Sequence, residues 1–170
     1  MLSQAFDALV HPGEAGRGAG ARLPACRHLD TVATRSGGFP GDLHLLLHRF
    51  LAIEPSLVWK KRTGSTEGAS ATFADGHANA LIVGPGALER RTDVSIGATI
   101  LAPHVRYPDH THPPEETYLV LSAGRFSHDR QDWVEPGVGG TFYNAPGVLH
   151  SMASGDEPLF AFWVLWAREH

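Results

Sequence analysis

Residues 107–118, "YPDHTHPPEETY", place two histidines, three acidic side chains and two tyrosines within twelve positions. His110 and His112 are one residue apart, and on an extended chain such residues point to the same side. Two imidazoles on one side form a pair of metal ligands. Glu116 follows the kink set by Pro113 and Pro114, where a neighbouring strand can return its carboxylate toward the same point. Nitrogen, nitrogen and oxygen donors leave coordination positions open on a cation, which suits catalysis better than structure. A fourth candidate, His150, closes "GTFYNAPGVLH" (140–150), whose Gly and Pro shape a hairpin. A lone His-x-His is common on solvated strands, and it is the downstream segment that makes a metal site specific.

These side chains need a strand scaffold. Beyond residue 66 short segments of alternating or β-branched apolar residues are separated by Gly and Pro, as in antiparallel sandwiches and barrels. Strands are predicted at 70–74, 78–84, 93–102, 117–122, 125–128, 139–143, 148–153 and 158–166. In "DVSIGATILAP" Val94, Ile96, Ala98 and Ile100 share a face, and "PLFAFWVLW" is apolar on both faces, as for a strand buried on both sides. Residues 1–60 read as helical. "LSQAFDALV" and "DLHLLLHRFLAIEP" carry helical spacing, the second through Leu43, Leu46, Leu47, Phe50 and Leu51 with Pro55 as its stop. A short helix is expected around 27–34. The expected organisation is a helical segment, 1–65, packed on a barrel, 66–170, as one structural unit.

Composition bounds the rest. The 170 residues suit one domain, and 42% hydrophobic with 19% charged residues is the balance of a folded protein. A net charge of −4 and no basic run longer than "KKR" (60–62) give nothing for nucleic acid to bind. The single cysteine, Cys26, permits no internal disulfide and reads as a buried thiol. No stretch approaches a membrane span and no basic leader opens the chain, so a cytoplasmic address is expected, with a monomer or homodimer as the form.

Taken together, the two segments resemble the cupin superfamily: "HTHPPEETYLVLSAG" matches its first motif through His110, His112, Glu116 and Gly124, and "GTFYNAPGVLH" its second through Gly140, Pro146, Gly147 and His150. The departures are one extra residue before Gly124, one fewer between Pro146 and Gly147, and Ser154 where many cupins have Asn. The implied fold is mainly β, a cupin double-stranded β-helix barrel with an N-terminal helical cap. "YPDHTHPPEETYLVLSAG" further resembles the extended motif of cupin dimethylsulfoniopropionate (DMSP) lyases of the DddQ type, with Tyr107, Pro108, His110, His112, Glu116 and Tyr118 in register. The helical N-terminus, "LVW" at 57–59 and the strand ending in Trp166 extend the likeness.

That resemblance implies β-elimination of DMSP to dimethyl sulfide and acrylate. One divalent transition ion, Zn2+, Fe2+ or Mn2+, would be held by His112, Glu116 and His150 with His110 as fourth ligand, and would bind the substrate carboxylate. Tyr118, two residues beyond Glu116, falls on the same side and is the expected general base, since a neighbouring cation favours its phenolate. Tyr107 is assigned to substrate positioning or auxiliary proton handling. Aromatic faces suit a sulfonium, and Trp133, Phe142, Tyr143, Trp163 and Trp166 are candidates. Other polar residues read more plainly: His104 and His128 as strand ends, His44 and His48 as solvated, Glu115 as solvent-facing, Asp129 and Asp132 as turn residues, and Arg90, Arg91 and "KKR" as surface. Two other readings stay open: an iron-dependent cupin dioxygenase of a small thiol or acid, and a ligand-binding cupin without turnover.

Overall fold

The computed structural model describes residues 1–167; residues 168–170, the end of the expected barrel segment, lie outside the described residues. In chain order the elements are α1 (Leu2–Leu9), β1 (Glu14–Ala15), a 3₁₀ turn (Pro24–His28), α2 (Leu29–Arg35), α3 (Gly41–Ile53), β2 (Trp59–Lys60), α4 (Phe73–Gly76), β3 (His77–Val83), β4 (Glu89–Arg90), β5 (Val94–Leu101), β6 (Glu115–Val120), β7 (Arg125–His128), β8 (Thr141–Asn144), β9 (His150–Ala153) and β10 (Leu159–Trp166). A large sheet runs β1-β4-β3-β5-β10-β6-β8, with β2 added beside β3, and β7 pairs with β9 in a second sheet.

Strand alternation sorts side chains into two cores. On one face of the large sheet Ala78, Ala80, Ala98, Ile100, Phe160 and Phe162 pack under Leu29, Val32, Leu47 and Phe50 of α2 and α3. On the other face Leu101, Tyr118, Val120, Leu159 and Ala161 meet Phe126 and Met152 of the second sheet and form the barrel interior. The Ala98 and Ile100 face of β5 thus lies beneath the helices, and Gly97, Thr99 and Leu101 look into the barrel. β10, hydrogen-bonded to β5 on one side and β6 on the other, is buried on both faces from Leu159 to Phe162.

Several expectations are corrected. Residues 70–74 form no strand: Phe73 N–H donates to Ser70 O and Gly76 N–H to Thr72 O, winding α4 and seating Phe73 in the barrel end. The N-terminal segment is not purely helical, because β1 and β2 pair into the sheet. The α3 stripe is narrower than predicted, burying Leu47 and Phe50 and leaving Leu46 exposed. Arg91 is not a surface residue: its guanidinium bridges Glu89 and Asp93 and donates to Ala8 O, binding α1 to the sheet. Glu115, expected in solvent, is buried and accepts a hydrogen bond from Tyr143 Oη. No helix among the described residues is long and apolar enough to cross a membrane.

Candidate metal centre

Two backbone devices bring the histidines together. Ala145 to Val148 make a turn closed by Val148 N–H to Ala145 O, with Pro146 at its second position and Gly147 at φ +72° at its third. That is the Pro-Gly geometry of a type II turn, and a side chain at the third position would be strained. Gly147 N–H then donates to His112 O, and His110 and His150 exchange two backbone hydrogen bonds of 3.0 and 2.9 Å. The upstream and downstream segments are therefore stitched directly to one another.

The three imidazoles offer nitrogens that all lie within 4.8 Å of each other. His110 Nδ1 lies 2.9 Å from Pro108 O, His112 Nδ1 2.8 Å from Pro114 O and His150 Nδ1 3.0 Å from Val148 O. A carbonyl only accepts, so each Nδ1 carries hydrogen and each neutral ring presents a bare Nε2 lone pair to the centre. Glu116, on β6, points the same way: its Oε2 stands 3.2 Å from His112 Nε2 and 3.3 Å from His150 Nε2. Lone pairs of imidazole nitrogens and a carboxylate oxygen repel unless a positive centre stands between them, a bound cation or, in the metal-free protein, a proton on the imidazole. His150 Nε2 is moreover buried without a well-formed hydrogen bond among the described residues. This donor set, with its orphaned nitrogen, fits a divalent transition ion, and His110 belongs to the nitrogen cluster as fully as His112 and His150.

The protonation landscape follows. Burial, with His150 alongside, pulls His110 down to about 4. Burial raises the Glu116 carboxyl, but its contacts with His112 and His150 outweigh this and hold it at about 2. His112 is drawn down by burial and up by Glu116, with a net rise. Burial lifts the Tyr118 phenol well above its ordinary value, reinforced by the Glu116 charge, and lifts Tyr107 to about 12.

Tyr118 stands on the Glu116 face of β6, buried against Phe126 at 5.3 Å between ring centres. Tyr107 lies inside the same end of the barrel, 5.1 Å from the His110 ring. Phe142, whose strand position is opposite Tyr118, and Trp163, opposite it on the other side, face this interior. Tyr143 does not: alternation along β8 sends Phe142 inward and leaves Tyr143, the next residue, 48% exposed. Trp133, half-buried in the segment after β7, lies against the guanidinium groups of Arg106 and Arg125, 5.6 and 5.0 Å from its ring centre. Trp166, three positions past Trp163 on β10, pairs with Glu115 and Val94, and the side chains of that row lie on the opposite face.

Some residues near the site escaped the sequence reading. Asn144, fully buried, donates from Nδ2 to Glu116 Oε2 at 2.8 Å, and its Oδ1 faces His128 Nε2 at 2.8 Å. Its signal was its place within the second motif, but only the β6–β8 register sets it opposite Glu116. Asn79 and Thr99, on β3 and β5, form a hydrogen-bonded pair that reaches Tyr107. Arg62, in the run read as surface, stands over the Tyr107 ring at 6.0 Å.

The family model for dimethylsulfoniopropionate lyase matches residues 1–161. No curated protein matches the chain in sequence. Among solved structures, one described as belonging to the DMSP lyases RdDddP and RnDddQII superposes with TM-score 0.73 at 19% identity, over 95% of this chain and 83% of that one. The DMSP lyase DddQ from Ruegeria pomeroyi DSS-3 superposes with TM-score 0.68 at 20% identity, over 92% and 77%. A cupin-2 domain from Rhodospirillum rubrum gives TM-score 0.52 at 10% identity, over 68% and 73%. At these identities the structural likenesses establish the fold, a cupin barrel.

Proposed function

This chain belongs to the dimethylsulfoniopropionate lyase family, and we propose accordingly that it cleaves DMSP to dimethyl sulfide and acrylate with the residues gathered around Glu116. The observation that carries the proposal is the placement of Tyr118 on the same strand face as Glu116, whose carboxylate lies 3.2 and 3.3 Å from the Nε2 atoms of His112 and His150 in the three-imidazole group. His110, His112, His150 and Glu116 would hold one divalent transition ion, Zn2+, Fe2+ or Mn2+. When bound, such an ion supplies Lewis acidity toward a carboxylate and positive charge next to the Tyr118 phenol.

The chain's own groups do the rest. Tyr118 Oη takes the proton from the carbon next to the substrate carboxylate. The freed electron pair forms the C=C bond of acrylate, and the pair of the breaking C–S bond leaves with sulfur as dimethyl sulfide. Tyr107 orients the carboxylate end. Phe142 and Trp163 present apolar ring surface to the sulfonium, a cation without hydrogen-bond donors. Asn144 keeps Glu116 in its orientation, with His128 behind it, and burial of all these groups keeps water away from the carbanion-like centre. We place the reaction in the cytoplasm, carried out by a monomer or homodimer.

The test is release of dimethyl sulfide into the headspace from DMSP under anaerobic conditions, across Zn2+, Fe2+, Mn2+, Co2+ and Ni2+. Release without oxygen also separates elimination from a dioxygenase built on the same ligands. Absence of release with every metal would sink the proposal.

A further inference from the structure

Inside the barrel a hydrogen-bond chain of fixed direction ends on Tyr107. It begins at Trp163, whose indole Nε1–H can only donate, and does so to Thr99 Oγ1 at 3.1 Å. The indole reaches Thr99 because Gly97 lies beneath it: a Cβ at Gly97 would stand 2.1 Å from the Trp163 ring. Thr99 Oγ1 next donates to Asn79 Oδ1 at 2.6 Å, across the direct β3–β5 register pair. Asn79 Nδ2 then donates to Tyr107 Oη at 3.0 Å. The lengths agree with the assignment of the amide, since 2.6 Å is an O–H···O separation and 3.0 Å an N–H···O one. Reversing the amide would put a nitrogen at the short contact.

Tyr107 Oη therefore receives a hydrogen bond, and among the described residues Asn79 is its hydrogen-bond partner. The phenol's own hydrogen is left to point into the barrel, toward the end where the imidazoles and Tyr118 gather. We infer that Trp163, Thr99 and Asn79 are positioning residues that set the polarity of Tyr107, making it a hydrogen-bond donor to the substrate carboxylate and leaving proton removal to Tyr118 alone. The inference rests on the lyase reading for the identity of the carboxylate. It goes further in naming what fixes the polarity of Tyr107, and it brings in Asn79 and Thr99, with a second role for Trp163, all outside the metal-binding segments.

The decisive substitution is Asn79→Asp. It keeps the shape and reverses the polarity: a carboxylate accepts from both Thr99 and Tyr107, so the phenol turns its hydrogen away from the substrate. Loss of a hydrogen bond to a charged group lowers kcat/KM by roughly tenfold to a hundredfold. Because Asn79 acts through Tyr107, the double variant Asn79→Asp/Tyr107→Phe is expected within about twofold of Tyr107→Phe alone. Parental turnover in Asn79→Asp, or losses that multiply in the double variant, would overturn the assignment. Should the carboxylate introduced by Asn79→Asp impair folding, Thr99→Val and Thr99→Ser decide: Val loses activity by a similar factor and Ser restores it, whereas parental activity in Val refutes the relay. A second readout needs no turnover. The Asn79 side-chain amide signals in 15N NMR shift on Tyr107→Phe, and unmoved signals overturn the inference. Failure of the parent protein to release dimethyl sulfide strikes the lyase reading, and the NMR comparison still decides the relay.

Discussion

At Glu116 burial and ionisation oppose one another. A carboxylate so enclosed stays charged only because His112, His150 and Asn144 surround it, and the same enclosure keeps His110 neutral down to about 4. Both shifts make the metal-free protein acid-labile, in separate windows. His110 binds its proton near 6.5 when unfolded and near 4 when folded, so from 6.5 downward the unfolded state holds more protons and stability falls, in total by on the order of 3 kcal/mol. Glu116, depressed in the fold, contributes stability that is present above its ordinary value and lost as pH falls through about 2. Urea midpoints of the metal-free protein are therefore expected to drop between about pH 7 and 4, and His110→Gln is expected to flatten that slope. A slope equal to the parent's would show that His110 is not the group responsible. For the chemistry, Tyr118→Phe should leave fold and metal content intact and reduce dimethyl sulfide release by at least about a hundredfold, the contribution of a positioned general base. Metal analysis alongside the headspace assay checks both halves.

Among the elements, strand register does the positioning. β6 carries Glu116 and Tyr118 inward, and its neighbours β8 and β10 place Phe142 and Trp163 opposite Tyr118. β5 contributes an omission, Gly97, over which the Trp163 ring lies. Gly97→Ala would drive a methyl into that ring and into Ala80 O, and is expected to destabilise the protein by roughly 1–3 kcal/mol. Chemical denaturation measures the loss. Because the displaced indole would no longer reach Thr99, activity should fall beyond what stability explains, which assays well below the unfolding midpoint can separate.

The whole molecule is held by two cores sharing one sheet, with the candidate ion ligands drawn from segments on both sheets of the barrel. An ion that ties β6 to the start of β9 binds the folded form alone, and at roughly a hundredfold excess over its Kd adds about 2.7 kcal/mol. For a chain of this length chelation should lower Tm by roughly 5–10 °C, restored by adding metal back. An unchanged Tm after verified metal removal would place the ion elsewhere.

Much of this is legible in the chain itself. Alternation reveals most of the long strands because one face of each is buried, and the His-x-His, Glu and Pro-Gly spacings carry the ligand candidates because local turns set their directions. Residues 70–74 mislead because small and apolar residues in alternation are equally at home in a single helical turn. Glu115 misleads for a different reason. Its burial depends on which strand and side chains lie alongside, and no spacing within one segment encodes a neighbour. The barrel class, the candidate ligands and the tyrosine beside them follow from the order of residues alone, since these rest on local periodicity and turn chemistry. It took the folded arrangement to show that His110 joins the cluster in full, that Asn144 supports Glu116, and that a Trp163–Thr99–Asn79 chain reaches Tyr107. Each of these is a contact between segments far apart in sequence, and its register is set by the packing of the whole sheet.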